Sequence, residues 1–562
     1  MKRVSRLAAF ALAGTVALAG CASIPMEGSV ELARHVEQDR EQGVRYFPAG
    51  PLTGGSREEI VQGFLDAGTG VQDDFAVARQ FLATESADQW RPEQRTIVAG
   101  GQASMKTLAT NLVEVTLQSY GEVDAAGNYT FYVQPKSVTL QFKLAQIDGE
   151  WRIQEAPDAI VLQRQAFVDL FHSLTLEYFD SQFTYTTGDL RWVMTNRDEA
   201  TRATQLLLEG PNQWLAQGGA VRSAIPAQVR LLEPVRTEGN TAIVNLSDEI
   251  SQMQPDQLSL VRLQLEQTLK PVLEVGTVEI RVNGAKLDVQ LPQPGRVLLE
   301  TEVKSAPLVA QGQQIGYLYG TELREPQGVA NVESVVVDQK VIRGALSLSR
   351  QTAALLTKDA TLAMRFADTE PQLIDTRPGQ IEPSLDNWDY VWTQSTEQPG
   401  LWVTKIGETN SEEIALPEGV RDDFISFQPS RDGVRMAFLY KDDDRVVLAI
   451  SPIQRDEAGT PVGFGEPLLL KMPGAAAADV AWVDRNTVAM LVDVPDGSTD
   501  VRIYRVGGEL TSLGTIQDAV QVAGSNSLAG MRIIDRNGTL YASRGTGWRS
   551  NAATVSFLFA QE

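Results

Sequence analysis

Residues 430–450 read SRDGVRMAFLYKDDDRVVLAI. The turn Ser430-Arg431-Asp432-Gly433 opens into RMAFL (435–439), and a second turn, Asp442-Asp443-Asp444, leads into VVLAI (446–450). Asp, Ser and Gly punctuate strands because they bond their own backbone or tolerate positive φ. The stretch therefore reads as strand, hairpin, strand. Its core recurs as TAALL (352–356), WDYVW (388–392) and TVAML (487–491). The central residues Ala354, Tyr390, Ala437 and Ala489 are 36, 47 and 52 positions apart. IGYL (315–318) and TLYAS (539–543) extend the series at either end. Similar turns precede two of these segments, at Asp484-Arg485-Asn486 and Asp535-Arg536-Asn537-Gly538. Second strands follow at LWVTKI (401–406) and VRIYRV (501–506).

Short strands with turn residues, repeated every 40–50 residues or so, are the pattern of an all-β propeller. At roughly 45 residues per blade, residues 293–562 hold about six blades. A sandwich is the alternative architecture for the same pattern. Trp388, Trp392, Trp402, Trp482 and Trp548 lie here, most of them expected between blades and one or two on a binding face.

Upstream, residues 180–292 alternate helix and strand. Ala200, Ala203, Leu206 and Leu207 form a helical stripe stopped by Gly210-Pro211. Two strands flank Glu238-Gly239-Asn240, then Leu258, Val261, Leu265 and Leu269 mark a second helix before TVEIRVNG (277–284). This α+β block resembles the GerMN domain through LLEGP (207–211), AIPAQVRLL (224–232), TAIVNLSDE (241–249) and TVEIRVNG. The resemblance implies a ligand- or partner-binding module without a catalytic set.

Residues 55–178 start with helices. Ser56-Arg57-Glu58-Glu59 fits a capping box, and Phe75, Ala78 and Leu82 predict a helix over 74–83. The period then changes to two: Val113, Val115 and Leu117 face one way, as do Val138, Leu140, Phe142 and Leu144. Asp148-Gly149 is a hairpin turn. Helices followed by a long sheet ending in IDGEWRIQEAP resemble the α+β cone of the nuclear transport factor 2 (NTF2) superfamily. Some members are isomerases or dehydratases with a carboxylate or His base, but the inward positions legible here are aliphatic. His172 falls among Phe167, Val168, Phe171 and Leu174, which reads as a helix face with a structural His.

The chain begins MKRVSR, then LAAFALAGTVALAG, then Cys21. A basic start and a short uncharged stretch read as a secretory signal over residues 1–20. A membrane span would need roughly 20 apolar residues, more than this stretch supplies. Leu18-Ala19-Gly20-Cys21 resembles the lipobox of bacterial lipoproteins, which implies cleavage before Cys21 and a diacylglyceryl group on its thiol. Two acyl chains anchor stably where one does not. Residues 21–54, with Pro25, Pro48, Pro51 and a solvated His35, read as a tether.

Among 562 residues, 72 acids against 49 bases give a net charge of −23. That excludes an ordinary nucleic-acid binder. One Cys and two His exclude disulfide scaffolds, Cys-rich zinc sites and multi-His metal centres. No phosphate-binding glycine loop, nucleophile elbow or zinc-protease motif occurs, so neither a cofactor nor a catalytic residue is assigned. Gly68-Thr69-Gly70 and Gly463-Phe464-Gly465 read as turns. Asp442–Asp444 and Asp493–Gly497 resemble calcium loops but lack their spacing, so hairpin turns are expected, with a weak cation site as the alternative.

The order lipobox, cone, GerMN block, propeller, together with CASIPMEGSV (21–30) and PLTGGSREEIVQGFLDA (51–67), resembles the actinobacterial LpqB lipoprotein family over nearly the whole chain. That resemblance implies an extracytoplasmic protein held to the cell membrane by Cys21. It implies binding to the extracytoplasmic domain of the sensor histidine kinase MtrB, modulating MtrA–MtrB signalling in envelope homeostasis and cell division. It carries over no enzymatic residue. The other readings are a module for cell-wall fragments, muropeptide or glycan, in the cone or the propeller mouth, and, last, a hydrolase or isomerase in the cone.

Overall fold

Ser56 caps α1 (Arg57–Ala67): its Oγ accepts the Glu59 N–H at 3.3 Å and Glu59 Oε2 accepts the Ser56 N–H at 2.7 Å. The computed structural model describes residues 48–562 except 72–73, 196–197, 300–301 and 546. The signal segment, Cys21, His35 and most of the tether lie outside the described residues. Ile60, Val61 and Phe64 bury the inner face of α1. The helix expected over 74–83 is only α2 (Ala76–Arg79), followed by α3 (Thr84–Gln89). Asp74 and Phe75 sit at positive φ, and Leu82 bridges to Ile153 as a strand residue would. Phe75, Ala78 and Leu82 are buried all the same, so the apolar spacing reported burial correctly and helix length poorly.

The sheet of this domain contains β1 (Arg95–Ala109), β2 (Leu112–Asp124), β3 (Tyr129–Ile147), β4 (Glu150–Glu155) and β5 (Ile160–Gln163), in the order β4-β3-β2-β1-β5. Register shifts in the β1–β2 and β2–β3 pairs curl it. Val113, Val115, Leu117, Leu140, Phe142 and Leu144 point inward and are buried, as their alternation requires. Phe64 and Trp90 meet ring to ring at 5.0 Å. This apolar cluster fills the space beneath the sheet.

After α4 (Arg164–Leu170) the chain runs straight into β6 (Phe171–Asp180) and β7 (Thr186–Met194), an antiparallel hairpin. His172 is thus a strand residue, not part of a helix face. The helix that carries Phe167 and Val168 ends at Leu170, and from Phe171 the chain is extended. Next come α5 (Glu199–Glu209), β8 (Val221–Arg222), β9 (Arg236–Glu238), β10 (Thr241–Leu246), α6 (Pro255–Leu273), β11 (Thr277–Val282) and β12 (Ala285–Lys286). β10 and β11 are parallel, so α6 is their crossover helix. Val261, Leu265 and Leu269 bury its inner face, as read from the sequence.

The remainder is a β-propeller. The strands Arg343–Ser347, Ser384–Leu385, Ser426–Pro429, Ala476–Trp482, Ala519–Ala523 and Phe557–Gln561 touch one another in a closed circle, and a sheet runs outward from each. Phe557–Gln561 pairs antiparallel with Leu308–Gln311, Leu558 opposite Val309 and Phe557 opposite Ala310. It also pairs parallel with Arg343–Ser347. That double pairing closes the circle and leaves no open inner edge. TAALL, RMAFL, TVAML and the YVW of WDYVW are all second strands of their sheets. IGYL and TLYAS are third strands. Second and third strands share a composition, so the repeat slipped by one strand at both ends.

Candidate functional site

The turns between first and second strands lie on one propeller face, and that face meets the second domain. The β6–β7 hairpin carries polar residues that are buried all the same, Glu177 on one face and Thr187, Asp189 and Arg191 on the other. Arg485 Nη2 donates to Glu177 Oε2 at 2.7 Å. Burial pushes the Glu177 carboxyl above its ordinary range, and Arg485 opposes the shift. Asp432 accepts from Arg435 Nη2 at 2.9 Å and from Thr187 Oγ1 across the boundary. Burial disfavours the Asp432 charge, but Arg435, Ser430 and Thr187 outweigh it and hold the pKa low. Val434 of the same turn enters the apolar core of the second domain. Asp180 ties the β6–β7 turn by accepting from the N–H groups of Gln182, Thr184 and Tyr185 at 3.0, 2.6 and 2.7 Å. Tyr185 then packs edge-on against Trp388, with ring centres 5.9 Å apart.

Under this contact lies a cavity of about 300 Å³, lined by Tyr185, Lys304, Tyr317, Arg431 and Glu562. Arg431 reaches from its turn to the carbonyls of Gln561, Ser525 and Trp482. Glu562 Oε1 accepts from Ser384 Oγ at 2.9 Å and Gln428 Nε2 at 3.0 Å, both on inner strands. Burial raises its pKa to about 7 in spite of these bonds and Arg431. Further along the axis, Asp479 accepts from Ser426 Oγ at 2.7 Å and the Val522 N–H at 2.9 Å. Glu382 accepts from Gln521 Nε2 at 3.0 Å, with Arg343 at 3.6 Å. Burial, then the charge of Asp479, pushes Glu382 well above the carboxylate range; burial also raises Asp479. The inner strands thus bring an acid-rich row to the propeller axis.

A larger cavity, about 570 Å³, opens where all three domains meet. The β2–β3 turn enters it, fixed by Asp124 Oδ1 accepting the Asn128 N–H at 2.8 Å. The loop after α5 enters from the second domain: Asn212 donates from its N–H to Asp189 at 2.7 Å and from Nδ2 to Asn128 at 2.7 Å. Trp214 Nε1 donates to the Glu466 carbonyl at 2.6 Å, joining that loop to the propeller. Tyr129 Oη and Arg164 both reach Glu509, at 3.1 and 3.4 Å, and Trp192 Nε1 donates to the Gly507 carbonyl at 2.8 Å.

His172 bonds Thr195 Oγ1 at 3.1 Å through Nδ1 and Glu199 through Nε2, a structural pairing between β6 and the start of α5. Asp442 pairs with Lys471 at 2.8 Å, and Asp496 accepts from the Ser498 N–H at 2.9 Å, as hairpin turns do. Among the described residues, no three His, Cys, Asp or Glu side chains are grouped to hold a metal ion. Trp392 and Trp482 are buried between sheets, whereas Trp388 lies on the docking face. Glu382, Asp479, Glu562 and the cavity residues escaped sequence reasoning. An acid beside a turn reads as solvated, and only closure of the circle turns it inward. The docking turns carried a visible signal, the repeated Asp, but as strand punctuation.

Fold and site define a multidomain, sheet-rich protein: a β-propeller carrying a GerMN-like domain and a separate N-terminal α+β domain. Residues 50–168 match the family model for the N-terminal domain of lipoprotein LpqB, and residues 323–556 match that for the LpqB beta-propeller domain. Residues 177–288 match a sporulation and spore germination domain. Lipoprotein LpqB of Thermobifida fusca is 25% identical over 89% of this chain and 90% of its own. That of Streptomyces avermitilis is 28% identical over 81% and 80%. The first GerMN domain of the Bacillus subtilis sporulation protein GerM aligns with 22% of this chain and 95% of its own, at 20% identity and a TM-score of 0.18. The chain belongs to the LpqB lipoprotein family. Membership implies a membrane-associated, extracytoplasmic protein. Among the described residues, no helix is long and apolar enough to cross a membrane.

Proposed function

We propose that this chain is a lipoprotein anchored through a diacylglyceryl group on Cys21 after removal of residues 1–20. In this reading it binds the extracytoplasmic domain of a sensor histidine kinase of the MtrB type and modulates two-component signalling in envelope homeostasis and cell division. The first domain is read as an NTF2-like cone and the third as a six-bladed propeller, one blade per inner strand of the closed circle. The observation that carries the proposal is family membership along nearly the whole chain, with binding-type modules docked to one another. The core under the cone is packed with apolar side chains, which favours a packing or partner role over catalysis there. The propeller face opposite the docked domain presents exposed residues such as Lys358, Asp359, Asp443, Asp444 and Asp496. Confinement to the membrane of the kinase raises effective concentration, so a weak contact suffices. Modulation requires tighter binding to one kinase state than to the other.

The test is titration of the mature chain, from Cys21 without the lipid, against the purified extracytoplasmic kinase domain. Saturable binding that changes autophosphorylation of the intact kinase in vesicles supports the reading. Absence of binding at about 1 mM, an affinity limit near −4 kcal/mol, overturns it.

A further inference from the structure

We infer that the cavity between the three domains is a binding site for a neutral saccharide of a few sugar units. Its volume, about 570 Å³, falls in the roughly 300–1,000 Å³ range of ligand clefts, which form preferentially between domains. The wall combines two kinds of group. Tyr129, Trp214 and Tyr504 supply aromatic rings, and Asn128, Asn212 and Gln213 supply planar amides. A sugar ring presents apolar C–H faces and hydroxyl edges, which match rings and amides respectively.

The charges point the same way. Asp189 is neutralised by Arg191 at 2.6 Å, and Arg435 by Asp432 at 2.9 Å, so both pairs are closed within the protein. Asp124 and Glu466 also line the cavity and oppose an anion. Arg435, 1% exposed, bonds through Nη1 to Asn486 and through Nη2 to Asp432 and the Arg485 carbonyl, so its charge is held within the protein. The ring of Trp214 is already oriented by its bond to Glu466, so little side-chain order is lost on binding.

The inference does not depend on the kinase reading. The experiment uses the purified full-length protein in a detergent without a sugar headgroup. Chitotriose, cellotriose and maltotriose are titrated separately, with tryptophan fluorescence and calorimetry as readouts. At least one should saturate below about 1 mM. Trp214→Ala should weaken that binding about tenfold or more, and the exposed Gln213→Ala by a smaller factor, with the unfolding temperature of the Gln213 variant unchanged. Failure of all three sugars to saturate overturns the inference. So does a trisaccharide that binds Trp214→Ala and Gln213→Ala as tightly as the parent. Displacement of the sugar by millimolar inorganic phosphate would mark an anion site and overturn it as well.

Discussion

Arg485 of the propeller and Glu177 of β6 form an ion pair at 2.7 Å across the boundary between the second and third domains. Glu177 is enclosed, and its N–H donates to Thr268 Oγ1 of α6 at 3.0 Å. One residue therefore links the crossover helix, the hairpin and the propeller. Nearby, Thr187 and Val434 add a polar and an apolar contact across the same boundary. Docking is consequently part of the folded state, and its failure should be measurable as loss of protection in β6 and β7.

Arg485→Ala leaves Glu177 buried without its partner. Breaking a fully buried pair costs about 3–5 kcal/mol. Arg485 keeps 32% of its side chain exposed, so solvent screening reduces the loss to about 1–2 kcal/mol. Hydrogen exchange should accelerate in β6 and β7 before it does in β1–β3. Unchanged protection of the hairpin would show that the pair does not hold the domains together.

Glu562 governs a pH dependence of opposite sign to that of an ordinary paired carboxylate. Its folded pKa is near 7, above the ordinary 4.5, with burial as the main cause. Between those values the folded state holds a proton that the unfolded state has released. Stability from this group is therefore present below about pH 4.5 and is lost as pH rises toward 7. Glu562→Gln should flatten the fall in denaturation midpoint across that window. A parallel slope in parent and variant would remove Glu562 as its source.

The turns that make this docking are legible in the sequence. Ser430–Gly433 and Asp484–Asn486 read as punctuation because Asp bonds to the backbone just downstream of it. Asp484 Oδ1 does accept the Asn486 and Thr487 N–H groups, at 2.9 and 2.8 Å. Their second use, joining Asp432 to Thr187 and Arg485 to Glu177 of the second domain, is not legible, because a charged turn residue reads as solvated until something covers it. The β6–β7 hairpin was obscured for a related reason. Glu177, Asp180, Asp189 and Arg191 look like surface residues, and only tertiary packing makes them interior: Glu177 meets Arg485 of the propeller, whereas Arg191 reaches the carbonyls of Ala126 and Gly210. Helical stripes such as Ala200–Leu207 and Val261–Leu269 are legible, since one strong period decides them locally. The axis acids needed long-range closure, with Phe557–Gln561 meeting Leu308–Gln311, which no local pattern encodes.

Asp386 and Arg455 test how far the propeller depends on buried charge. The side chains are 0% and 2% exposed and meet at 2.8 Å. Asp386 also accepts from Trp392 Nε1 at 3.1 Å and from the Trp388 N–H at 2.9 Å. Arg455 in turn lies 4.0 Å from the ring centre of Trp388. Asp386→Ala removes the charge partner and the turn bonds together, so a loss of about 3–5 kcal/mol is expected. Chemical denaturation should show a lower midpoint. Asp386→Asn, which keeps the turn acceptor, should recover part of the loss; equal losses in both would mean that the charge alone matters.

The proposed anchor at Cys21 makes a prediction of its own. The described residues include no spanning helix, and a net charge of −23 is repelled by anionic lipid headgroups. Removal of residues 1–20, as proposed, would take away Lys2, Arg3 and Arg6 and no acid, leaving a more acidic chain still. In the proposed reading attachment comes from lipid, at about 0.8 kcal/mol per buried CH₂. Simple fractionation of Cys21→Ala is ambiguous, because a lipobox without its Cys can leave residues 7–20 uncleaved and membrane-bound. Metabolic labelling separates the cases. Cells expressing the parent should incorporate labelled palmitate into the protein, and its mature N-terminus should be a modified Cys21. Cys21→Ala should incorporate none wherever it fractionates. Label retained by the variant would place the lipid elsewhere on the chain and remove Cys21 as the anchor.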